Sequence, residues 1–172
     1  MIERPVVNFK QDSHCSYCGS RFSEQIKWPR NCFICNNESY KNPIPVVVVL
    51  IPVLSGLLIQ QRGIMPGKNE WAVSSGYLND KETYQQAAAR EMKEEIYLDS
   101  EADDYELFDV CSSSTGTLLI FAVYKKYLSS IEELNFVPNE EVLDIKAIFA
   151  PEELAFPTHT EMVKRYFNYV DK

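Results

Sequence analysis

Gly76-Tyr-Leu-Asn-Asp-Lys-Glu82-Thr83-Tyr-Gln-Gln86-Ala-Ala-Ala-Arg90-Glu91-Met92-Lys-Glu94-Glu95-Ile96-Tyr97-Leu98 is the stretch around which the rest of the 172-residue chain is organised. Thr83 followed by Gln86 forms a capping-box pattern, so a helix is expected to start there. At about 100° per residue, Ala88, Ala89, Met92 and Ile96 share one helix face, and Glu91, Glu94 and Glu95 share the neighbouring one. Carboxylates at i, i+3 and i+4 repel one another unless a cation lies between them. An all-oxygen ligand set of this kind suits Mg²⁺ or Mn²⁺ better than Zn²⁺. On the helix alone, a solvated acidic face accounts for the pattern equally well.

The spacing of the whole stretch breaks that tie. It resembles the Nudix box, G-x5-E-x7-R-E-U-x-E-E-x-G-U with U aliphatic, at Gly76, Glu82, Arg90, Glu91, Met92, Glu94, Glu95 and Leu98. Tyr97 stands where the family has its second glycine, which lets the chain leave the helix at positive φ. A tyrosine there implies a helix that runs further or ends through a different turn. Just upstream, Trp71-Ala-Val-Ser74-Ser75-Gly76 has serines where many relatives carry proline with glycine or alanine. Neither departure removes a ligand.

The length suits one main domain with room for a small module, and 45% apolar residues suffice for a core. A net charge of −8 argues against a large nucleic-acid or anionic-membrane footprint. A small anionic substrate stays compatible with it, because a bound divalent metal inverts the local field. No apolar run reaches about 18 residues, so no membrane-spanning helix is expected. Met1-Ile-Glu-Arg-Pro-Val-Val-Asn8 lacks the layout of a signal peptide, and a cytoplasmic location is the expectation.

Residues 1–42 are expected to form their own module. Cys15-Ser-Tyr-Cys18 and Cys32-Phe-Ile-Cys35 are two C-x2-C knuckles separated by thirteen residues, a spacing that suits a tetrahedral structural zinc site. No βαβ pattern surrounds either pair to support a redox dithiol, and reduced thiols are the rule in the cytosol. Gly19 and Asn36 follow their knuckles where a tight turn needs positive φ, and His14 is expected to be a bystander. Cys111 is expected to be a buried strand residue. With only Arg21, Lys27 and Arg30 as cations between Cys15 and Cys35, the ribbon reads as a packing or dimerisation element, and a homodimer is the partner expectation.

Residues 43–172 read as an alternation of strands and helices. Ile44 to Val53 is expected as one buried strand, Leu57 to Arg62 as a second and Trp71-Ala-Val as a third. Tyr105 to Cys111, Thr117 to Tyr127 and Val142 to Phe149 complete the strands. Pro151 to Leu154 reads as a short helical turn, and Thr160 to Val170 as a closing helix. The class is α/β (α+β), a mixed sheet between helices. The Nudix αβα sandwich that the resemblance implies has the same layout.

The resemblance also implies an activity: hydrolysis of the pyrophosphate of a nucleoside diphosphate linked to another group. On the matched positions, Glu91, Glu94 and Glu95 would hold Mg²⁺ or Mn²⁺, with the Gly76 carbonyl as a further ligand. Arg90 and Glu82 would orient the glutamates. Relatives often use an acid beyond the box as metal ligand or base; Glu141 is the candidate, with Glu140 in reserve. Arg62, Trp71 and Tyr40 lie near strand ends leading to the box and would offer flat faces to a ring. For Tyr40 and Trp71 the rival is core or inter-domain packing.

The order of ribbon, Tyr40-Lys-Asn-Pro43 and box is similar to that of the NADH pyrophosphatases and, more closely, of zinc-ribbon Nudix enzymes acting on FAD and ADP-ribose. Trp71 and Leu154-Ala-Phe156 belong to the same likeness. The Ser-Gln-Pro-Trp-Pro-Phe-Pro run of the NADH enzymes is absent, and Ser114 stands where ADP-ribose enzymes often carry proline. The expected reaction converts a substrate of the ADP-ribose, FAD or NADH type into AMP and a second phosphomonoester. The rival readings are a non-catalytic nucleotide sensor, a nucleoside triphosphate pyrophosphohydrolase and a ribbon-led nucleic-acid adaptor. The complete set of box carboxylates disfavours the first, and the acidic balance the last.

Overall fold

The computed structural model describes residues 11–23 and 27–170. The leading segment Met1 to Asn8 lies outside them. The chain divides into two units, Met1–Pro43 and Ile44–Lys172. In the first, β1 (Arg30–Asn31) and β2 (Glu38–Ser39) pair antiparallel. Each knuckle closes as a tight turn: the Gly19 amide donates to the Cys15 carbonyl at 2.9 Å, and the Asn36 amide to the Cys32 carbonyl at 2.8 Å. Both turn residues take positive φ, 73° at Gly19 and 60° at Asn36, which glycine without a Cβ and asparagine tolerate.

The second unit holds two four-stranded sheets. The strands are β3 (Ile44–Leu50), β4 (Pro52–Val53), β5 (Gly56–Arg62), β6 (Trp71–Ala72), β7 (Ser75–Tyr77), β8 (Tyr105–Ser112), β9 (Thr117–Tyr124) and β10 (Val142–Ile148). One sheet runs β7-β3-β9-β8, with β3 and β9 parallel and the other pairs antiparallel. The other runs β10-β5-β4 with β6 also on β5. Helices α1 (Tyr84–Ile96) and α2 (Pro157–Val170) cover opposite faces. This is a mixed-sheet αβα sandwich.

The continuous apolar run of β3 follows from that burial on both faces. Val47 and Val49 point toward α1, where they meet Ala87, Ala88, Met92 and Ile96. Val48 and Leu50 point the other way, toward Met162, Val163, Tyr166 and Phe167 of α2. Met92 and Ile96 are fully buried, each stabilising the fold by about 1.5–3 kcal/mol. Ala87 joins Ala88 on the buried face of α1, while Ala89, expected there, is only partly buried.

Several boundaries differ from the sequence reading. The expected strand Ile44 to Val53 is two strands in different sheets: parallel pairing with β9 ends at Leu50, and Pro52 then pairs with Leu57 of β5. Proline has no N–H to donate, so Pro52 fits the two-residue strand, where its carbonyl accepts from Leu128. Pro151 to Leu154 is not helical, because the chain there is drawn outward: the Leu154 amide donates to the Thr160 hydroxyl and the Ala155 amide to the Trp71 carbonyl. Helix α2 starts at Pro157 rather than Thr160, with proline in the first-turn position its fixed φ favours. Cys111 lies on a strand as expected but is half-buried.

Candidate functional site

Helix α1 begins as its capping box dictates. Thr83 accepts from the Gln86 amide and Gln86 from the Thr83 amide. It ends at Tyr97, which adopts φ 60°, ψ 21° and sends its N–H to the Met92 carbonyl. The chain thus makes the left-handed exit with a tyrosine in the glycine's place. The expectation of a longer helix or a different turn is corrected.

That helix presents its carboxylates to a cleft of about 790 Å³ lined by Glu91, Glu94, Glu95, Glu140 and Glu141 among others. Arg90 organises the near side. It takes Glu82 with two parallel bonds of 2.9 Å, reaches Glu91 at 2.6 Å and Glu94 at 3.2 Å, and donates to the Tyr77 carbonyl at 2.9 Å. All three guanidinium nitrogens donate, which fixes the box strand and helix against each other. Its hydrogen bonds hold the Glu82 carboxyl below the usual range.

Gly76 has a steric reason to be glycine. A Cβ there would lie 1.8 Å from Glu91 Cδ, so the carboxylate occupies the space of a side chain. Glu91 is held up by burial, with the charges of Glu94 and Glu141 adding to it and Arg90 opposing. Glu95 is 7% exposed and pushed up to about 8, chiefly by burial, with Glu91 and Glu141 reinforcing the effect. Gln60 Nε2 donates to Glu95 Oε2 at 3.0 Å, and the Ser74 hydroxyl donates to Gln60 Oε1 at 2.6 Å.

The loop carrying Glu140 and Glu141 is tied to both neighbours. Asn139 donates to the Glu95 carbonyl and accepts from the Glu141 and Val142 amides. On the other side the Gly63 amide donates to the Glu141 carbonyl at 2.7 Å. A Cβ on Gly63 would meet the Glu140 carbonyl oxygen at 2.1 Å, so only glycine permits the approach.

Of the ring-binding candidates, Arg62 lines the cleft. Its Nε donates to the Pro66 carbonyl at 2.7 Å and its guanidinium lies 5.1 Å from the Phe156 ring centre. Trp71 does not line the cleft. It packs against the α2-side core, with Lys146 Nζ 4.7 Å from its ring centre. Tyr40 belongs to the first unit, where its exposed hydroxyl donates to Glu38. The sequence reading missed Gln60, Ser74, Asn139 and His159. His159 is 3% exposed, lines the cleft and accepts the Val73 amide on Nδ1 at 3.3 Å.

In the first unit the sulfurs of Cys15, Cys18, Cys32 and Cys35 all lie within 4.8 Å of one another. The Cys15–Cys35 and Cys18–Cys32 separations are 3.6 Å. A tetrahedron of Zn–S bonds of about 2.3 Å has edges near 3.8 Å, so the set fits a structural zinc ion. His14 lies outside this cluster, with Nδ1 against the Ser13 hydroxyl.

Among the described residues no helix is long and apolar enough to cross a membrane. Comparison with curated proteins gives no match. Among solved structures, a Nudix hydrolase from Nitrosomonas europaea aligns with a TM-score of 0.64 at 24% identity, covering 91% of this chain and 90% of that one. The Nudix domain of Shewanella oneidensis NrtR, solved with ADP-ribose, aligns with a TM-score of 0.59 at 15% identity, covering 76% and 90%. A bifunctional NMN adenylyltransferase/ADP-ribose pyrophosphatase from Francisella tularensis aligns with a TM-score of 0.51 at 24% identity, covering 73% of this chain and 37% of that one. These likenesses show a shared fold. The family model for the NUDIX domain matches residues 41–170, the region that holds the box helix, both sheets and the carboxylate cleft, and the chain therefore belongs to the Nudix family of pyrophosphohydrolases.

Proposed function

We propose that the protein is a metal-dependent hydrolase that cuts the central pyrophosphate of a nucleoside diphosphate joined to another group, of the ADP-ribose, FAD or NADH type. The products are AMP and a second phosphomonoester. The observation that carries this reading is the gathering of Glu91, Glu94, Glu95 and Glu141 along one cleft, with burial and mutual repulsion raising Glu91 and Glu95. Such a site favours a hard divalent cation, Mg²⁺ or Mn²⁺, with the Gly76 carbonyl as a further donor. A cation bound there would supply Lewis acidity toward the phosphates and lower the pKa of the attacking water.

The chain's own groups do the rest. Arg90 and Glu82 hold the carboxylates in place, and Gln60 fixes the Glu95 carboxylate by donating to Oε2. Glu141, with Glu140 beside it, accepts the proton of the attacking water. Water adds to one phosphorus and the bridging P–O bond breaks, its electron pair leaving on the other phosphate. Arg62 lies along the substrate's path. The NrtR domain bound to ADP-ribose and the ADP-ribose pyrophosphatase from Francisella tularensis support the choice of substrate class. The cysteine cluster of residues 1–42 takes a structural Zn²⁺, and residues 43–172 form the catalytic domain.

Hydrolysis of a panel of nucleoside diphosphate derivatives with Mg²⁺ and Mn²⁺, with products separated by chromatography, tests the reading. AMP plus a second phosphomonoester is the expected outcome. Inorganic pyrophosphate released from a nucleoside triphosphate, with efficiency well above that for every dinucleotide or nucleotide sugar, would overturn it.

A further inference from the structure

His159 is a buried imidazole for which the reaction above has no use. It stands in the first turn of α2, edge-on to Phe121 and Phe156, with ring centres 6.0 and 4.9 Å away. Its tautomer follows from one bond. The Val73 amide can only donate, so Nδ1 must carry a lone pair, and the proton of the neutral ring lies on Nε2. Burial, reinforced by the charge of Arg62, pushes the second protonation down to about 3, so the ring stays neutral over the ordinary pH range.

Nε2–H is then a donor that needs a partner. Among the described residues nothing accepts from it, and no buried side-chain nitrogen or oxygen is left without a partner, so this atom opens to the cleft that His159 lines. The surroundings say what it meets. Phe156, Met65 and Pro66 line the same cleft, and Arg62 ties Pro66 to the Phe156 ring through its Nε bond and its stacked guanidinium. A Cβ on Gly67 would lie 3.1 Å from Ala155 Cβ, so the 65–67 loop closes directly on the segment leading into α2. This corner sets the uncharged Nε2–H among apolar and aromatic surface, with the Arg62 guanidinium as the charged donor beside it. A phosphate is better served by the metal site and by a guanidinium than by an uncharged N–H in apolar surroundings.

Resting on the function proposed above, we infer that His159 is a specificity-determining residue whose Nε2–H hydrogen-bonds a neutral acceptor, a ring nitrogen or carbonyl oxygen, on a heteroaromatic arm of the substrate. It sets which ring the enzyme accepts and takes no part in bond breaking. A site built around a buried donor discriminates strongly against a group that cannot accept from it, because the donor is then left unpaired.

The chain has only two histidines, so imidazole ¹⁵N spectra of the full-length protein are simple to read. Free protein at neutral pH should show His159 as the Nε2–H tautomer, assigned by its loss in His159→Asn. Adding the non-hydrolysable α,β-methylene analogue of ADP-ribose with Mg²⁺ should shift that Nε2 resonance saturably, whereas methylenediphosphonate with Mg²⁺ should leave it in place. In kinetics, His159→Asn keeps an acceptor for the Val73 amide but lacks the distal donor. It should raise KM for ADP-ribose about tenfold with kcat within about threefold. His159→Gln keeps the distal donor and should restore KM while melting lower. If wild type turns over ADP-ribose and neither the resonance nor KM responds, the role of His159 is refuted while the function stands. An equal shift with methylenediphosphonate would refute it too, by placing the contact on a phosphate. Absence of turnover of every diphosphate derivative by wild type would remove both readings.

Discussion

The carboxyl group of Glu91 fills the space that a side chain on Gly76 would need: a Cβ at position 76 would stand 1.8 Å from Glu91 Cδ. The first glycine of the box is therefore a vacancy shaped for a carboxylate fifteen positions along the chain. Gly76→Ala should displace Glu91 and break its 2.6 Å bond to Arg90. We expect turnover to drop at least tenfold and Mn²⁺ affinity, read by electron paramagnetic resonance, to fall in parallel. Unchanged Mn²⁺ binding in a folded variant would show that Glu91 does not serve the metal.

Glu95 is a buried carboxylate with one oxygen held by Gln60. Glu95→Gln keeps the shape and the bond from Gln60 and removes the charge that burial penalises. Turnover should fall at least about a hundredfold. The melting temperature of the metal-free protein should hold or rise, since a costly charge has gone. Near-normal turnover would mean that the metal is held elsewhere.

Tyr97 occupies left-handed backbone at φ 60°. A non-glycine residue pays about 1 kcal/mol there, and Tyr97→Gly relieves it while losing the ring contact to Phe136. The expected result lies between no change and a gain of about 1 kcal/mol by denaturant melts. A clear loss would show that the ring contact outweighs the strain.

His159 makes folding sensitive to acid. Its folded-state pKa of about 3 lies below the unfolded value, so between about 6.5 and 3 the unfolded chain binds the extra proton. The stabilisation is complete above pH 6.5 and is lost as pH falls, at up to about 1.4 kcal/mol per pH unit. The ring faces Arg62 as its charged neighbour, and that cation acts in the same direction. His159→Asn should flatten the stability profile over this window relative to wild type. Identical slopes would contradict a buried neutral ring.

The sulfur cluster predicts about one zinc per chain by elemental analysis of protein purified under reducing conditions. Cys32→Ser should lose it, and unfolding of the first unit should follow. Metal-free wild-type protein with disulfides would exclude the site.

The sequence by itself determined whatever depends on short spacing. The capping box placed the start of α1, the 3.6-residue period put Glu91, Glu94 and Glu95 together beside the apolar face, and the two knuckles brought four cysteines within reach of one ion. These relations live within a helix or a turn, where covalent geometry translates spacing into position. Tertiary structure alone decided the remainder. The division of Ile44 to Val53 between two sheets depends on which strands are near to pair with each half. Trp71 turns to the α2-side core because β6 lies against β5, so its nearness to the box in sequence brings it no nearer to the cleft. Gln60 meets Glu95 across 35 residues, and Val73 meets His159 across 86. No periodicity in the chain encodes such meetings. They exist because apolar faces on separate elements must bury one another, and the polar groups carried along with them are then left facing whichever partner the packing supplies.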